Sequence, residues 1–151
     1  MRLLDQAGLD FEAVEYEVDE DDLSGVHVAQ VLGQPVEQVF KTLVLKGEKQ
    51  GYMVCCIPVA CELDLKKVAK VAGDKKVEML PMKNLLATTG YIRGGCSPIG
   101  MKKHFPTFVH ETALTYERIA VSGGMRGVQV ILNPEELRNY IDAKWADLVK
   151  E

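Results

Sequence analysis

The sequence predicts a mixed α/β fold in which about six or seven strands, with helices between them, form a sheet that can close into a barrel. Three observations support this fold class. Short apolar runs and alternating segments recur along the chain, as β-strands require. Segments with helical spacing lie between them and are bounded by capping residues and glycines. The 151 residues contain no internal repeat, low-complexity tract or linker-like stretch, so we expect a single domain over residues 1–151.

The N-terminal part of the chain predicts a helix, a strand and a second helix. Residues 1–8 form a short helix that ends at a glycine. Residues 11–18 alternate between apolar and acidic side chains, which predicts a half-buried strand, and residues 19–22 form an acidic loop. Ser24 can cap a helix that stops at Gly33 and buries three apolar side chains. Those three are Val28, Val31 and Leu32.

The next segment predicts a β-hairpin followed by a capped helix. Pro35 begins a short helical turn. Residues 39–46 and 52–59 are two apolar strands separated by a turn that is bounded by glycines, which is typical of a hairpin. Asp64 can cap the helix Leu65–Ala72, which stops at a glycine.

Short strands and a final helix complete the prediction. Residues 77–80 form a strand, and Pro81 opens a helix near residues 82–87. Three further strands are predicted at residues 107–111, 118–122 and Val128–Leu132. Asn133 is followed by Pro134 and two glutamates, which together indicate a helix start. That helix presents an apolar stripe at spacings of three and four, formed by Leu137, Ile141, Trp145 and Leu148.

The charge distribution is uneven. Residues 1–40 carry ten acidic and one basic side chain, whereas the remainder carries 12 acidic and 17 basic side chains, for a net charge of −4. A weakly basic body is compatible with an anionic ligand on one face, although ordinary solvated surface charge gives the same pattern. No secretory signal or long apolar run occurs, so we expect a cytoplasmic protein without a membrane or DNA partner.

The four cysteines predict free thiols in a reducing compartment. None belongs to a C-x-x-C pair, and the three histidines are scattered, so we expect no metal site and no cofactor. Two of the cysteines are adjacent in a predicted strand and should therefore point to opposite faces. The four are Cys55, Cys56, Cys61 and Cys96.

The most unusual segment runs from Gly90 to Gly100 and contains four glycines, a serine and a proline. Glycine is favoured where φ is positive or where the backbone closely approaches a ligand. Unpaired N–H groups in such a loop can form a donor surface for a phosphate or a developing oxyanion. A strand that ends in a tight turn explains the same residues without a ligand.

Two other segments contain candidate functional side chains. Lys41 interrupts a predicted strand and shares its parity with Leu43 and Leu45, which argues against simple exposure. A lysine in that position must extend its amine to solvent or meet an anion, because burying an unpaired ammonium is costly. Ser122 ends a strand just before two glycines, where its hydroxyl can face a cleft, although a hairpin turn without a ligand also explains it.

Taken together, these segments resemble the YbaK family of freestanding aminoacyl-tRNA deacylases. The resemblance covers essentially the whole chain without a large insertion. It rests on six ordered segments, which are Phe40-Lys41-Thr42-Leu43, Leu63-Asp64-Leu65-Lys66-Lys67-Val68-Ala69-Lys70, Lys75-Lys76-Val77-Glu78-Met79, Thr89-Gly90-Tyr91, Gly94-Gly95-Cys96-Ser97-Pro98-Ile99-Gly100 and Val121-Ser122-Gly123-Gly124-Met125-Arg126-Gly127.

The resemblance implies a mostly antiparallel sheet curved into a barrel-like core with flanking helices. It also implies hydrolysis of the ester bond in Cys-tRNA(Pro), a mischarging product of prolyl-tRNA synthetase, without a cofactor. The implied partners are the 3′ end of aminoacyl-tRNA and the synthetase. The family's essential lysine matches Lys41 and its pocket glycine matches Gly94, so these are the implied catalytic residues. The implied substrate-binding residues are Tyr16, Phe40, Thr42, Gly95, Ser97, Ser122 and Gly123.

The family resemblance also implies a mechanism. The substrate's own thiol attacks its ester carbonyl and releases tRNA and a cysteine thiolactone, which then hydrolyses. Lys41 would contact the phosphate or ribose of the terminal adenosine, and N–H groups around Gly94 and Gly95 would receive the carbonyl oxygen. Ser122 would bind the amino group or an adenosine hydroxyl, and Tyr16 would form a wall of the pocket.

Several alternatives stay open at the sequence level. The protein could act on an alanyl, seryl or threonyl ester, or it could be a noncatalytic module that binds the synthetase or an aminoacyl nucleotide.

Cys96 lies inside the glycine-rich segment, where a covalent nucleophile is a minority interpretation and a small buried side chain is favoured. Met125 stands where the family often has a lysine. A basic helix face could contact tRNA phosphates or simply be solvated, and its lysines with their neighbours are Lys66, Lys67, Lys70, Lys75 and Lys76.

Overall fold

The computed structural model describes residues 2–19 and 24–151 of the chain. Of the predicted acidic loop, residues 20–22 lie outside the described residues. The helices are α1 (Arg2–Ala7), α2 (Gly25–Leu32), α3 (Leu65–Ala72), α4 (Leu85–Thr89) and α5 (Pro134–Ile141). The strands are β1 (Phe11–Glu15), β2 (Phe40–Gly47), β3 (Gly51–Pro58), β4 (Val77–Met79), β5 (Thr107–His110), β6 (Ile119–Ser122), β7 (Val128–Leu132) and β8 (Lys144–Ala146). Short 3-10 turns occur at Val36–Gln38, Met82–Asn84 and Glu111–Thr115.

The strands form two sheets whose pairings are mostly antiparallel. One sheet has the order β1-β7-β6, and the other has the order β4-β2-β3-β5-β8. Only the β3–β5 and β5–β8 pairings of the described strands are parallel. The predicted mixed, mostly antiparallel α/β fold with a curved core is confirmed. The sheets do not close into a barrel, and an isolated parallel bridge between Val39 and Ala120 joins them.

The central hairpin of β2 and β3 is buried on both faces. Cys55 packs into a core cluster with Ile57 and Val68, whereas Cys56 packs into another cluster with Phe40. The two adjacent thiols therefore point to opposite sides, as the strand periodicity predicted. Because both faces are covered, the hairpin is a rigid support for the residues along its edge.

The predicted helix caps are confirmed. The Ser24 hydroxyl accepts a hydrogen bond from the His27 N–H at the start of α2. The Asp64 carboxylate accepts bonds from two N–H groups at the start of α3, and the Asn133 side chain does the same for α5. Helices α2 and α3 end at glycines with positive φ. These signals are local, which explains why the sequence alone predicted them.

The prediction for the last helix is wrong in its second half. Helix α5 ends at Ile141, and Asp142 has a φ of 53°. Trp145 lies instead in β8, which pairs with the open edge of β5. The apolar stripe predicted across Trp145 and Leu148 is therefore not a helix face, although Leu148 is fully buried. Pairing with an open sheet edge has overridden the helical spacing.

Two smaller predictions are also corrected. Val31 is 46% exposed rather than buried, because α2 directs Val28 and Ala29 toward the core. Strand β1 ends at Glu15 rather than at residue 18, because β7 begins at Val128 and the preceding Gly127 has a φ of 89°, which is not a strand conformation. Within the described residues, no helix is both long and apolar enough to cross a membrane.

Candidate functional site

A cavity of about 360 Å³ opens between the two sheets. Its walls come from the start of α2, the first half of β2, the ends of β6 and β7, and the glycine-rich segment. We call residues 90–100 the first glycine loop and residues 122–127 the second glycine loop. The volume is in the range that accommodates a small molecule or one end of a larger substrate.

The cavity exists because β2 changes its neighbour along its length. Just before β2, Val39 bridges to Ala120 of β6. At its end, residues Leu45–Gly47 pair with β4, and the Val44 carbonyl accepts a hydrogen bond from the Leu80 N–H. Between these two points the neighbouring strands diverge and leave an open edge. The residues along that edge that line the cavity are Phe40, Lys41, Thr42 and Leu43.

Lys41 lies half-buried in the cavity wall. It is paired with Ile57 of β3, and its strand parity places it with Leu43 and Leu45, as the sequence indicated. No carboxylate among the described residues forms an ion pair with it. A half-buried ammonium without a counter-ion is suited to bind an anion that enters the cavity. Lys41 and Gly94 line the same cavity, which the proposed site required.

The two glycine loops touch each other through their backbones. A Cβ atom at Gly95 would lie 3.1 Å from the Met125 Cα atom. Gly94 has a φ of +83°, and a Cβ atom there would lie 3.3 Å from the Arg126 Nε atom. That Nε group donates a hydrogen bond of 2.8 Å to the Arg93 carbonyl. The glycines are therefore explained by close packing of the loops and by positive φ at Gly94.

Four of the predicted substrate-binding residues lie outside the cavity lining of the described chain, and in three of them a polar group is already hydrogen-bonded within the protein. The Gly95 N–H donates a hydrogen bond to the Ile92 carbonyl, so it is not directed toward a substrate. Ser97 is fully buried, and its hydroxyl accepts a bond from the Ile99 N–H. The Gly123 N–H donates to the Val128 carbonyl and closes the turn between β6 and β7. Their backbone contacts support the shape of the loops.

The other predicted residues are closer to the site. Ser122 lines the cavity and is 8% exposed, and its hydroxyl accepts a hydrogen bond from the Gly124 N–H. Thr42 also lines the cavity, and its hydroxyl is 3.7 Å from the Cys56 sulfur. Tyr16 lies in a small adjoining pocket that shares Gly94 with the main cavity. We therefore place Tyr16 at the border of the site.

Gln129 is a cavity residue that the sequence-based prediction missed. It lies directly opposite Ser122 in the β6–β7 pairing and is 6% exposed. Its amide oxygen is buried and has no hydrogen-bond partner among the described residues. Such a group destabilises a fold by about 1–3 kcal/mol, so it requires an explanation. The signal in the sequence was a glutamine within the apolar strand Val128–Leu132.

Cys96 also lines the cavity, but its thiol is not activated. Burial is the largest influence and raises the pKa of the Cys96 thiol to about 11, although a hydrogen bond with Thr89 opposes this effect. The thiol is therefore protonated at neutral pH, which disfavours a covalent nucleophile. Among the described residues, no group of three histidine, cysteine, aspartate or glutamate side chains is placed to hold a metal ion.

The charges around the cavity favour an anionic ligand. Lys41 and Arg93 are the charged residues of the described lining, and both are cationic. Arg93 is exposed, as are Met79 and Met82 of the same lining, and these exposed residues mark the mouth of the cavity. The described lining thus combines a cationic and apolar entrance with a buried polar pair, Ser122 and Gln129.

Comparison with known protein families identifies the chain. Residues 24–140 match the family model described as the aminoacyl-tRNA editing domain. The chain belongs to this family. The match includes the open edge of β2 and both glycine loops, so the cavity lies within the editing domain itself. The resemblance found in the sequence is thereby confirmed.

Individual relatives of this editing domain agree with the family. The chain is 50% identical over 148 residues to an Enterococcus faecalis protein named, provisionally, Cys-tRNA(Pro)/Cys-tRNA(Cys) deacylase EbsC, covering 98% of this chain and 90% of that protein. It is 31% identical over 122 residues to the proline–tRNA ligase of Thermosipho melanesiensis, covering 81% of this chain and 21% of the ligase. A crystal structure described as a trans-editing enzyme for prolyl-tRNA synthetase, again a provisional title, superposes with a TM-score of 0.83 at 27% identity, covering 93% of this chain and 87% of that chain.

Proposed function

We propose that this editing-domain protein hydrolyses the ester bond of mischarged Cys-tRNA(Pro) in trans. The observation that carries the proposal is a cavity lined by Lys41, Gly94 and Ser122, in a chain that is 50% identical to a protein named, provisionally, as a Cys-tRNA(Pro)/Cys-tRNA(Cys) deacylase. Cysteine and proline are similar in size, so a synthetic site that accepts proline rejects cysteine only weakly. A second, hydrolytic site removes the resulting error.

The electrostatics of the cavity support binding of the 3′-terminal nucleotide. Arg93 at the mouth and Lys41 inside it provide two cations along one path, and the described lining contains no carboxylate that would oppose a phosphate. We assign the phosphate of the terminal adenosine to Arg93, which leaves Lys41 for the ester group itself. The aminoacyl group then extends past the exposed backbone of Gly94 toward the buried Ser122.

The bond-breaking step uses the sulfur of the substrate. The cysteinyl sulfur forms a bond to its own carbonyl carbon, the bond from that carbon to the ribose oxygen breaks, and the thiol proton passes to the ribose oxygen. The products are tRNA and a cysteine thiolactone, which water opens to free cysteine. The protein contributes orientation of the sulfur, exclusion of bulk water and donors for the carbonyl oxygen. Since the Gly95 N–H is already bonded to Ile92, we assign the oxygen to the backbone N–H of Gly94 and to Lys41.

A panel of esters on one tRNA tests this function. Cysteinyl, alanyl, seryl and prolyl esters of tRNA(Pro) are incubated with the protein, and loss of the ester is measured with and without prolyl-tRNA synthetase. We expect the cysteinyl ester to be cleared fastest. Clearance of the seryl ester at the same rate would contradict sulfur-assisted cleavage, and preference for the alanyl ester would change the substrate. No acceleration of any ester would favour a noncatalytic binding module.

Fewer lysines of α3 are available to contact the body of the tRNA than the sequence predicted. The Lys67 amine donates hydrogen bonds to Asp147 and to the Val149 carbonyl, so it holds the C-terminal segment rather than a phosphate. On α3 we therefore propose that Lys66 and Lys70 remain available for tRNA. Action beside prolyl-tRNA synthetase in the cytoplasm belongs to the same proposal.

A further inference from the structure

The side chain of Arg126 joins the two glycine loops. Its Nε group donates a hydrogen bond of 2.8 Å to the Arg93 carbonyl, and its methylene groups lie over Gly94, where a Cβ atom would be 3.5 Å from the Arg126 Cγ atom. Arg126 lines the small adjoining pocket and is not part of the described lining of the main cavity. The arginine therefore holds the first glycine loop from outside the cavity, at the residue that precedes Gly94.

This contact fixes the direction of the Gly94 N–H. The Arg93 carbonyl and the Gly94 N–H belong to one peptide unit, which is planar and trans, so the two groups point in opposite directions. A carbonyl held on the side of Arg126 leaves the N–H on the opposite side of the loop. Gly94 is exposed and lines the main cavity, and its N–H donates no backbone hydrogen bond among the described residues. The N–H is therefore available to a ligand on the side that faces away from Arg126.

The first glycine loop needs such a contact because its backbone is permissive. Rotation of the peptide before Gly94 changes ψ of Arg93 and φ of Gly94, and glycine tolerates either sign of φ at little cost. The rotated peptide would present the Arg93 carbonyl where the N–H had been, and an acceptor there would repel the oxygen of an ester. The guanidinium opposes this rotation, because hydrogen bonds from a charged donor are about twice as strong as neutral ones.

We propose that Arg126 is a positioning residue, which fixes the peptide between Arg93 and Gly94 so that the Gly94 N–H is directed at the carbonyl oxygen of the ester. This inference rests on the proposed function, because it takes the substrate carbonyl as the acceptor at Gly94. In this role Arg126 contacts no substrate atom. It orients a donor before negative charge develops on the oxygen, and a donor fixed in advance lowers the barrier without further reorganisation.

Two variants of Arg126 separate the hydrogen bond from the positive charge. The amide nitrogen of glutamine is as many bonds from the backbone as the arginine Nε atom, so Arg126→Gln keeps a donor and removes the charge. Arg126→Met has a methyl group at the same distance along the side chain and removes both. We expect kcat for Cys-tRNA(Pro) to fall about 10–100-fold in Arg126→Met, with KM within about threefold of the wild type. Arg126→Gln should keep kcat within about threefold of the wild type.

The kinetic pattern distinguishes positioning from other roles. A rise in KM with unchanged kcat in Arg126→Met would mean that Arg126 binds a phosphate, and it would overturn the inference. Equal losses of kcat in Arg126→Gln and Arg126→Met would assign the effect to charge and would overturn it as well. Met125→Ala is the control, because Met125 is exposed on the same loop and its side chain is not part of the hydrogen bond. It should keep both kinetic constants.

Binding of a stable analogue tests the inference without catalysis. The ligand is 3′-amino-3′-deoxyadenosine that carries cysteine in an amide bond, and the readout is the proton shift of the assigned Gly94 amide in ¹⁵N-labelled protein. We expect the ligand to move this signal downfield in the wild type and in Arg126→Gln, and to move it clearly less in Arg126→Met. If thermal unfolding shows that Arg126→Met does not fold, Arg126→Glu replaces it, since it places an acceptor beside the Arg93 carbonyl.

The outcomes also distinguish this inference from the proposed function. Hydrolysis of Cys-tRNA(Pro), with a Gly94 signal that ignores the ligand or responds equally in Arg126→Met, would overturn the inference and leave the function standing. A Gly94 response that depends on Arg126, without hydrolysis of any ester, would overturn the function and support the inference. Failure of the analogue to bind the wild type would contradict the two together.

Discussion

Two regions of this protein contain partly buried polar side chains, and the regions differ in whether those side chains have partners within the protein. At the C-terminal segment, Lys67 is bonded to Asp147, and the buried His110 accepts a hydrogen bond from the Leu148 N–H. In the cavity, Lys41 has no ion-pair partner among the described residues, and the amide oxygen of Gln129 has no hydrogen bond. Polar groups with internal partners hold the fold together, whereas a half-buried group in the cavity wall without one, such as Lys41, is available to a ligand.

The largest expected effect tests the contrast between Lys41 in the cavity and Lys67 at the C-terminal segment. Lys41→Ala should lower kcat/KM for deacylation of Cys-tRNA(Pro) by about 10²–10³-fold, because it removes a cation that stabilises charge in the transition state. Its unfolding temperature should hardly change, since the amine has no ion-pair partner among the described residues. Ester loss and thermal unfolding are measured together.

Lys46→Ala is the matched control, since Lys46 is exposed on the same strand and does not line the cavity. It should keep full activity. Lys67→Ala should show the reverse of the Lys41 result, with normal ester cleavage and a lower unfolding temperature. Normal activity of Lys41→Ala would remove the central site assignment.

A second prediction tests whether Arg93, at the cavity mouth, contacts a phosphate of the substrate. Arg93→Gln should raise KM about three- to tenfold at low salt, leave kcat unchanged and reduce the dependence of log(kcat/KM) on log salt concentration by about one charge. Arg118→Gln serves as the control, because Arg118 is ion-paired with Asp10 away from the cavity. An equal salt dependence in wild type and Arg93→Gln would exclude a phosphate contact at this position.

The third prediction concerns stability rather than rate. Gln129→Leu should increase the free energy of unfolding by about 1 kcal/mol, because it removes a buried amide oxygen that has no partner among the described residues. Denaturant unfolding at equal m-values measures the change. A clear loss of stability would mean that the wild-type amide has a partner in solution, and the contrast between the two regions would weaken.

The smallest expected effect lies in the C-terminal segment and depends on pH. Burial lowers the pKa of His110, although Asp147 and Glu111 oppose this shift. Below the ordinary histidine pKa, the unfolded chain therefore takes up a proton that the folded chain resists, so stability decreases as the pH falls from 7 toward 5. His110→Gln should flatten this dependence, and the exposed His104→Gln should not. Thermal unfolding across that pH range provides the measurement, and parallel curves for wild type and His110→Gln would contradict the assignment.

The sequence predicted the site in outline because three of its signals are short. Lys41 within an apolar strand, the glycines of the first loop and Ser122 before the second loop are each visible within a few residues. The roles of Gly95 and Ser97 were not visible in the same way. Their polar groups are bonded to Ile92 and Ile99, and a sequence cannot indicate which N–H or hydroxyl is already occupied.

The sequence by itself determined the helix caps at Ser24, Asp64 and Asn133, the central hairpin and the opposite directions of its two adjacent cysteines. These features depend on contacts within a turn or on strand alternation, so local residues are sufficient to specify them. The tertiary structure alone decided that β8 is a strand, that the neighbours of β2 diverge to open a cavity, and that the Gln129 amide oxygen is buried without a partner among the described residues. Each of those outcomes depends on elements distant in sequence that compete for the same sheet edge or the same buried space. Local residue spacing does not predict which of those elements will pack there.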